Sequence, residues 1–157
     1  MIYIKLQGDV VSLGGSVATN DMLNEGWIEY TGTVPEYTKS GSLRFINGEL
    51  IYILDEQVRA QKLKDFEAVP EQYIYNYYNA GTQLSLARFR QVGSIKQKNL
   101  VNQIDEWMAA VLTDYYTRRY MLQIATTPEE LDAISLDLSN NNATKPNIQL
   151  STIFTAV

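Results

Sequence analysis

Three pairs of adjacent carboxylates, Asp55-Glu56, Asp105-Glu106 and Glu129-Glu130, are the groups in this chain nearest to an acid–base arrangement. Two carboxyls that share a catalytic step must converge on one substrate, whereas neighbours on a helix point about 100° apart. Each pair therefore reads as a helix start or a solvated face. A carboxylate-only Ca²⁺ or Mg²⁺ site would need acids alternating around a central glycine, and no such pattern occurs. The glycines between Gly8 and Gly15 follow neither the GxGxxG spacing nor the Lys-Ser/Thr ending of a phosphate loop, so turn chemistry accounts for them. The chain contains no His and no Cys. Without them neither a Ser-His-Asp triad nor a Cys-His pair can be assembled, and the usual zinc, copper and haem ligands are missing. The expectation is a protein with no catalytic residues, no cofactor and no metal.

A different kind of chemistry is offered by Arg88, Arg90, Lys96 and Lys98, a run of cations with no intervening acid, and by Tyr73, Tyr75, Tyr77 and Tyr78 just upstream. Tyrosine and arginine are the residue types enriched at protein-interface hot spots, and aromatics beside cations can also stack bases or sugars. Three readings stay open: core tyrosines with solvated charges, a protein interface, or a glycan or nucleic-acid surface. As an interface the contributing residues are Tyr73, Tyr75, Tyr77, Tyr78, Arg88 and Arg90. A net charge of −5 argues against phosphate-backbone binding as the main task. Hydrophobic residues at 45% and charged residues at 20% are ordinary globular values, and the apolar runs are too short for a membrane span. Met1 to Ile4 meets Lys5 at once, so the start lacks the pattern of a signal peptide and no membrane association is expected.

The elements that must position these residues are marked by turns and caps. Ile2, Ile4 and Leu6 alternate with Tyr3 and Lys5, the two-residue period of a half-buried strand. Gly8-Asp9 turns the chain into Val10–Leu13, Thr19 or Asn20 caps a short helix over 21–25, and Trp27–Tyr30 resumes as a strand. Asn47-Gly48, flanked by apolar runs, predicts a type I′ hairpin over 43–54. A hairpin alone is marginal, so Phe45 or Tyr52 is expected to pack on Trp27. Asp55 caps a helix that Val69-Pro70 stops, and a tyrosine-rich helix over 71–79 is broken or bent at Gly81 before Leu84, Leu86, Phe89 and Val92 continue to Gly93.

The strongest periodicity lies in 94–125, where Val101, Ile104, Met108, Val111, Tyr115 and Leu122 fall on three- and four-residue steps and Leu100, Trp107 and Leu112 widen the stripe. Thr127, Pro128 and Glu130 are spaced as a capping box that opens a short helix. Residues 139–146 are a loop, and Ile148–Phe154 is β-branched enough to predict a terminal strand. The fold class is α+β: a small N-terminal antiparallel β meander, a helical segment with one long helix, and a short C-terminal strand. Three segments follow: 1–54, 55–125 and 126–157.

Gly-Trp-Ile-Glu-Tyr at 26–30, Thr-Val-Pro at 33–35, Leu-Arg-Phe-Ile-Asn-Gly-Glu-Leu at 43–50 and an acidic helix start come in an order that resembles the N-terminal parts of small tail-fibre-associated and tail-fibre-assembly proteins of tailed bacteriophages. The resemblance covers less than half of the chain. It implies a non-enzymatic virion protein, a structural or adaptor component of the tail or a fibre, or alternatively a fibre-assembly chaperone. It also implies other phage structural proteins as partners, or copies of the chain itself, as a trimer if fibre-like. The implied location is the virion, and the host cytoplasm during assembly.

Overall fold

A computed structural model describes all 157 residues. The fold is α+β, with a five-stranded antiparallel sheet near the N-terminus followed by helices, one of them long. The chain divides into two compact units. The first comprises Met1–Ala60 with Ile124–Ala133, the second Gln61–Gln123 with Ile134–Val157. Residues 126–157 are thus shared between the two units.

In the first unit β1 (Ile2–Gln7), β2 (Val10–Leu13), β3 (Ile28–Tyr30), β4 (Gly41–Ile46) and β5 (Glu49–Leu54) lie in the order β3-β1-β2-β4-β5. This is not a simple meander, because β3 returns past α1 (Asn20–Asn24) to the far side of β1. The β4–β5 hairpin closes on the pair Ile46 and Glu49. Asn47 and Gly48 take φ of +53° and +86°, the left-handed conformations a type I′ turn demands. Helix α1 is capped by Thr19, whose hydroxyl accepts from the Met22 N–H at 3.2 Å.

Ile4, Tyr30 and Leu50 form the buried cluster of the sheet, with Ile2, Leu6, Val11, Leu43 and Phe45 packed around it. The alternating face of β1 is therefore the inner face. The aromatic at its centre is Tyr30, and not Trp27 as its size suggests. Tyr30 meets Phe45 edge-on, ring centroids 6.0 Å apart. Its hydroxyl donates to the Thr33 carbonyl at 3.2 Å and accepts from the Leu50 N–H at 3.3 Å. Tyrosine wins the position because one side chain fills the core and also satisfies a buried strand amide, which indole carbon cannot do. Tyr52 pairs with Tyr37 instead. Trp27 precedes β3, half-buried over Gly14, where an added Cβ would stand 2.8 Å from the indole and 2.7 Å from the Met22 methyl.

The same unit holds α6 (Pro128–Asp132), opened by the expected capping box of Thr127 and Glu130. The Asp132 carboxylate accepts from Thr38 Oγ1 at 2.6 Å and from the fully buried Ser40 hydroxyl. Two buried hydroxyls from the approach to β4 are thereby satisfied by one side chain of α6.

Helix α2 (Glu56–Glu67) leaves the sheet with Asp55 accepting from the Gln57 N–H. In the second unit α3 (Val69–Tyr75) takes Pro70 into its first turn, and Asn79 caps α4 (Ala80–Val92) by accepting from the Thr82 N–H. The break between them lies at 76–79, so Gly81 sits inside α4 and does not cause it. Helix α5 (Ile95–Ile124) buries Val101, Ile104, Trp107, Val111, Tyr115 and Leu122, with Phe66 of α2 against Tyr115 at 4.8 Å. Leu112, expected to widen the stripe, is more than a third exposed. The place between Tyr115 and Leu122 is taken by Arg118, whose guanidinium holds the carbonyls of Ser135 and Asp137 and the Asn140 side chain.

The expected C-terminal strand is a helix, α7 (Leu150–Thr155). Its β-branched residues are overruled by capping and burial. Gln97 Nε2 donates to the Ile153 carbonyl and Ser94 Oγ to that of Ala156, satisfying acceptors a helix end leaves open, while Ile153 is wholly buried.

Candidate interaction surface

The tyrosine cluster is drawn together by Trp107 of α5. Tyr73, Tyr77 and Tyr78 place their rings 6.0, 5.7 and 5.8 Å from the indole, and Tyr73 meets Tyr77 edge-on at 5.6 Å. Lys145 Nζ closes the group, 5.1 Å from the Tyr77 centroid and 5.6 Å from that of Tyr78. Tyr78 is interior: its hydroxyl donates to the Ile148 carbonyl at 3.0 Å, and burial pushes its pKa up. It is not available to a partner, which corrects the expectation that it belongs to an interface. Tyr73 is half-buried, its hydroxyl raised first by burial and then by neighbouring Tyr77. These two rings therefore belong to the packing of α3 and the turn after it around Trp107 of α5. Tyr77 and Tyr75 keep exposed surface, and Tyr75 is turned to Glu71, whose hydrogen bond raises its pKa.

The two arginines part company. Arg90 forks onto both oxygens of Asp105, with Nε at 2.7 Å, a pairing that raises its pKa and commits it within the chain. Arg88 is exposed and lines a groove of about 230 Å³ with Ser85, Phe89, Val92, Gln97 and Phe154. Part of its lining is the edge-on contact of Phe89 with Phe154 of α7, 5.0 Å between centroids, Phe154 being itself more than half exposed. Leu84, which lies beside Arg88, is 76% exposed and Val92 72%, and Ile95 at the start of α5 is 80% exposed, values at which an apolar side chain gains little from folding. Leu84, Arg88 and Val92 recur every four residues, so one face of α4 presents a cation between two aliphatic residues.

Two of these features are not evident from the sequence, and a third carries a capping-box spacing that is. Leu84 and Val92 fit the same helical period as buried Leu86, and period alone does not say which apolar residues a helix turns inward. Phe154 falls in the segment whose β-branched residues predict a strand. The Ser94-x-x-Gln97 spacing is a reciprocal cap, Ser94 Oγ accepting from the Gln97 N–H and Gln97 Oε1 from the Ser94 N–H, and it fixes the start of α5 beside the groove.

Four of the six paired carboxylates take structural posts. Asp55 caps α2, Glu56 binds Arg59, Asp105 holds Arg90, and Glu130 accepts from Thr126 and Thr127. No group of three or more Asp and Glu residues stands close enough to share a metal ion. No helix is long and apolar enough to cross a membrane. The arrangement offers a shallow apolar surface with one uncommitted guanidinium, suited to holding another molecule. No protein-family model, curated protein or solved structure matches the chain.

Proposed function

We propose that the protein is a non-enzymatic component of a bacteriophage particle, a structural or adaptor subunit of the tail or a fibre, acting through protein–protein contacts. The observation that carries the interface reading is the exposure of Leu84 and Val92, one turn to either side of Arg88 on α4, beside the Phe89–Phe154 contact. An apolar patch centred on an arginine and bordered by aromatic residues has the make-up of a protein-interface core. The tail assignment rests on the order of motifs in residues 26–50. Its partners are other tail proteins or further copies of the chain, in the virion and, during assembly, in the host cytoplasm.

Quantitative mass spectrometry of purified particles tests this reading. A fixed copy number per particle is expected of a structural subunit. Absence from finished particles whose fibres fail to form without the protein would assign it instead as an assembly chaperone. Absence with normal particles overturns both.

A further inference from the structure

The two units carry opposite charge. The first holds eleven acidic and four basic residues, net −7, and the second seven acidic and nine basic, net +2. Within the second unit the positive charge is concentrated. Residues 80–104 and 138–157, which include α4, the start of α5 and α7, carry Arg88, Arg90, Lys96, Lys98 and Lys145 and not one acid. Only Arg90 of these forms an ion pair. The apolar groove beside Phe154 thus lies in the one basic region of an acidic chain.

The first unit has a concave counterpart. A depression of about 420 Å³ is lined by Glu36, Tyr37, Thr38, Glu129, Asp132 and Ala133. Its bound hydroxyls leave Asp132 committed, but Glu36 and Glu129 form no ion pair, and Tyr37 is 72% exposed. An exposed tyrosine between uncommitted carboxylates is the complement of an exposed arginine between aliphatic and aromatic residues.

We infer that the protein associates with itself head to tail, the basic apolar surface around Arg88 on one copy docking into the acidic depression around Tyr37 on a second. Arg88 meets the carboxylates of the second copy's Glu36 and Glu129 and the face of its Tyr37, while Val92 and Phe154 cover the ring. The contact joins two different surfaces, so a pair keeps one unfilled surface of each kind, the acidic one on the first copy and the basic one on the second, and can add a further copy. This deepens the reading of the protein as an interface-forming subunit, on which it rests, by naming a partner, a second copy.

Sedimentation velocity of the purified chain at about 100 μM, where a transient interface of modest area is populated, provides the test. Concentration-dependent association is expected, weakening about tenfold as salt rises from roughly 50 to 500 mM because the contact is largely charged. Arg88→Glu alone and the double variant Glu36→Lys/Glu129→Lys alone should each be monomeric, with circular dichroism showing both folded. Mixed together they should associate again, since the first variant keeps the acidic depression intact and the second keeps the Arg88 surface. A monomeric wild-type protein at low salt overturns the inference, as does association that either variant leaves unchanged or a mixture that stays monomeric. A protein that is monomeric alone yet present in particles at fixed copy number would sink self-association and leave the tail-subunit reading standing.

Discussion

The two units each contain one tryptophan, and the use made of them shows how differently the units are held. Trp107 is 3% exposed on the inner face of the longest helix, with three tyrosine rings around it. Trp27 is half-buried beside the sheet, resting on Gly14 and Met22 outside the Ile4–Tyr30–Leu50 cluster. The helical unit is built on fully enclosed side chains, among them Phe66, Leu86, Ile104 and Ile153. The sheet unit encloses few large residues and depends more on directed polar contacts, the Tyr30 hydroxyl on one side and the Asp132 carboxylate on the other. A unit of the first kind loses most from a cavity, one of the second kind from a missing acceptor.

Truncating the tryptophans is the sharpest way to break that contrast. Trp107→Ala should cost about 3–5 kcal/mol, the range for removing a large enclosed ring, and the expected loss at Trp27→Ala is about 1–2 kcal/mol because part of its surface still faces water and it lies outside the buried cluster of the sheet. Urea titration of the two variants gives both numbers. Equal losses would mean that Trp27 is as much a core residue as Trp107, and the contrast between the units would fail.

Next in size is the acceptor shared by Thr38 and Ser40. Asp132→Ala leaves two buried hydroxyls without it, and a loss of about 2–3 kcal/mol is expected, more than a surface substitution in a short helix would give. Adding Ser40→Ala to that variant should recover part of the loss, because the orphaned group is then gone. No recovery would show that Asp132 acts through something other than these hydroxyls.

A smaller effect belongs to the hairpin turn. Gly48 stands at φ +86° with open space where a Cβ would go, so Gly48→Ala tests conformation without a clash. The expected loss is about 1–2 kcal/mol, seen as a lower thermal midpoint.

These sites also separate what the order of residues reveals from what only the folded chain does. The Asn47-Gly48 turn, the Thr19 cap and the Thr127–Glu130 box are legible in the sequence because each satisfies a local geometric demand with residues near one another in the chain. The buried stripe of α5 is legible because its period is sustained over many turns. What stays hidden depends on partners distant in sequence. Tyr30 displaces Trp27 through a bond to the Leu50 amide, and Arg118 enters the stripe through carbonyls of residues 135 and 137. Helix α7 forms in β-branched sequence because Ser94 and Gln97 bind its end. At the candidate surface the sequence points to six residues. The fold keeps Arg88 there, leaves Tyr75 and Tyr77 partly exposed, and commits Tyr73, Tyr78 and Arg90 within the chain. Neither period nor composition reveals which of two apolar helix faces a fold will cover.

The smallest expected effect compares one acid in each unit. Glu130 in the first unit has its pKa lowered, first by the Thr126 N–H and then by the Thr126 hydroxyl and the Thr127 N–H. Asp137 in the second is lowered first by the hydroxyl and then by the N–H of Ser139, with Arg118 adding a smaller share. Both bind a proton less readily folded than unfolded. Their contributions are therefore fully present above the unfolded carboxylate values, about 4. They are lost as pH falls through the lowered folded values. Glu130→Gln and Asp137→Asn should each flatten the decline of stability in that acid window, lying slightly below wild type at pH 7 and converging with it at low pH, where the wild-type carboxyl is itself neutral. Both groups are fully solvent-exposed, so the effect is small and requires comparison with wild type at several pH values. If the difference between Glu130→Gln and wild type is the same at pH 3 as at pH 7, the capping carboxylate is not the titrating group, and the acid sensitivity of the sheet unit must come from another of its carboxylates.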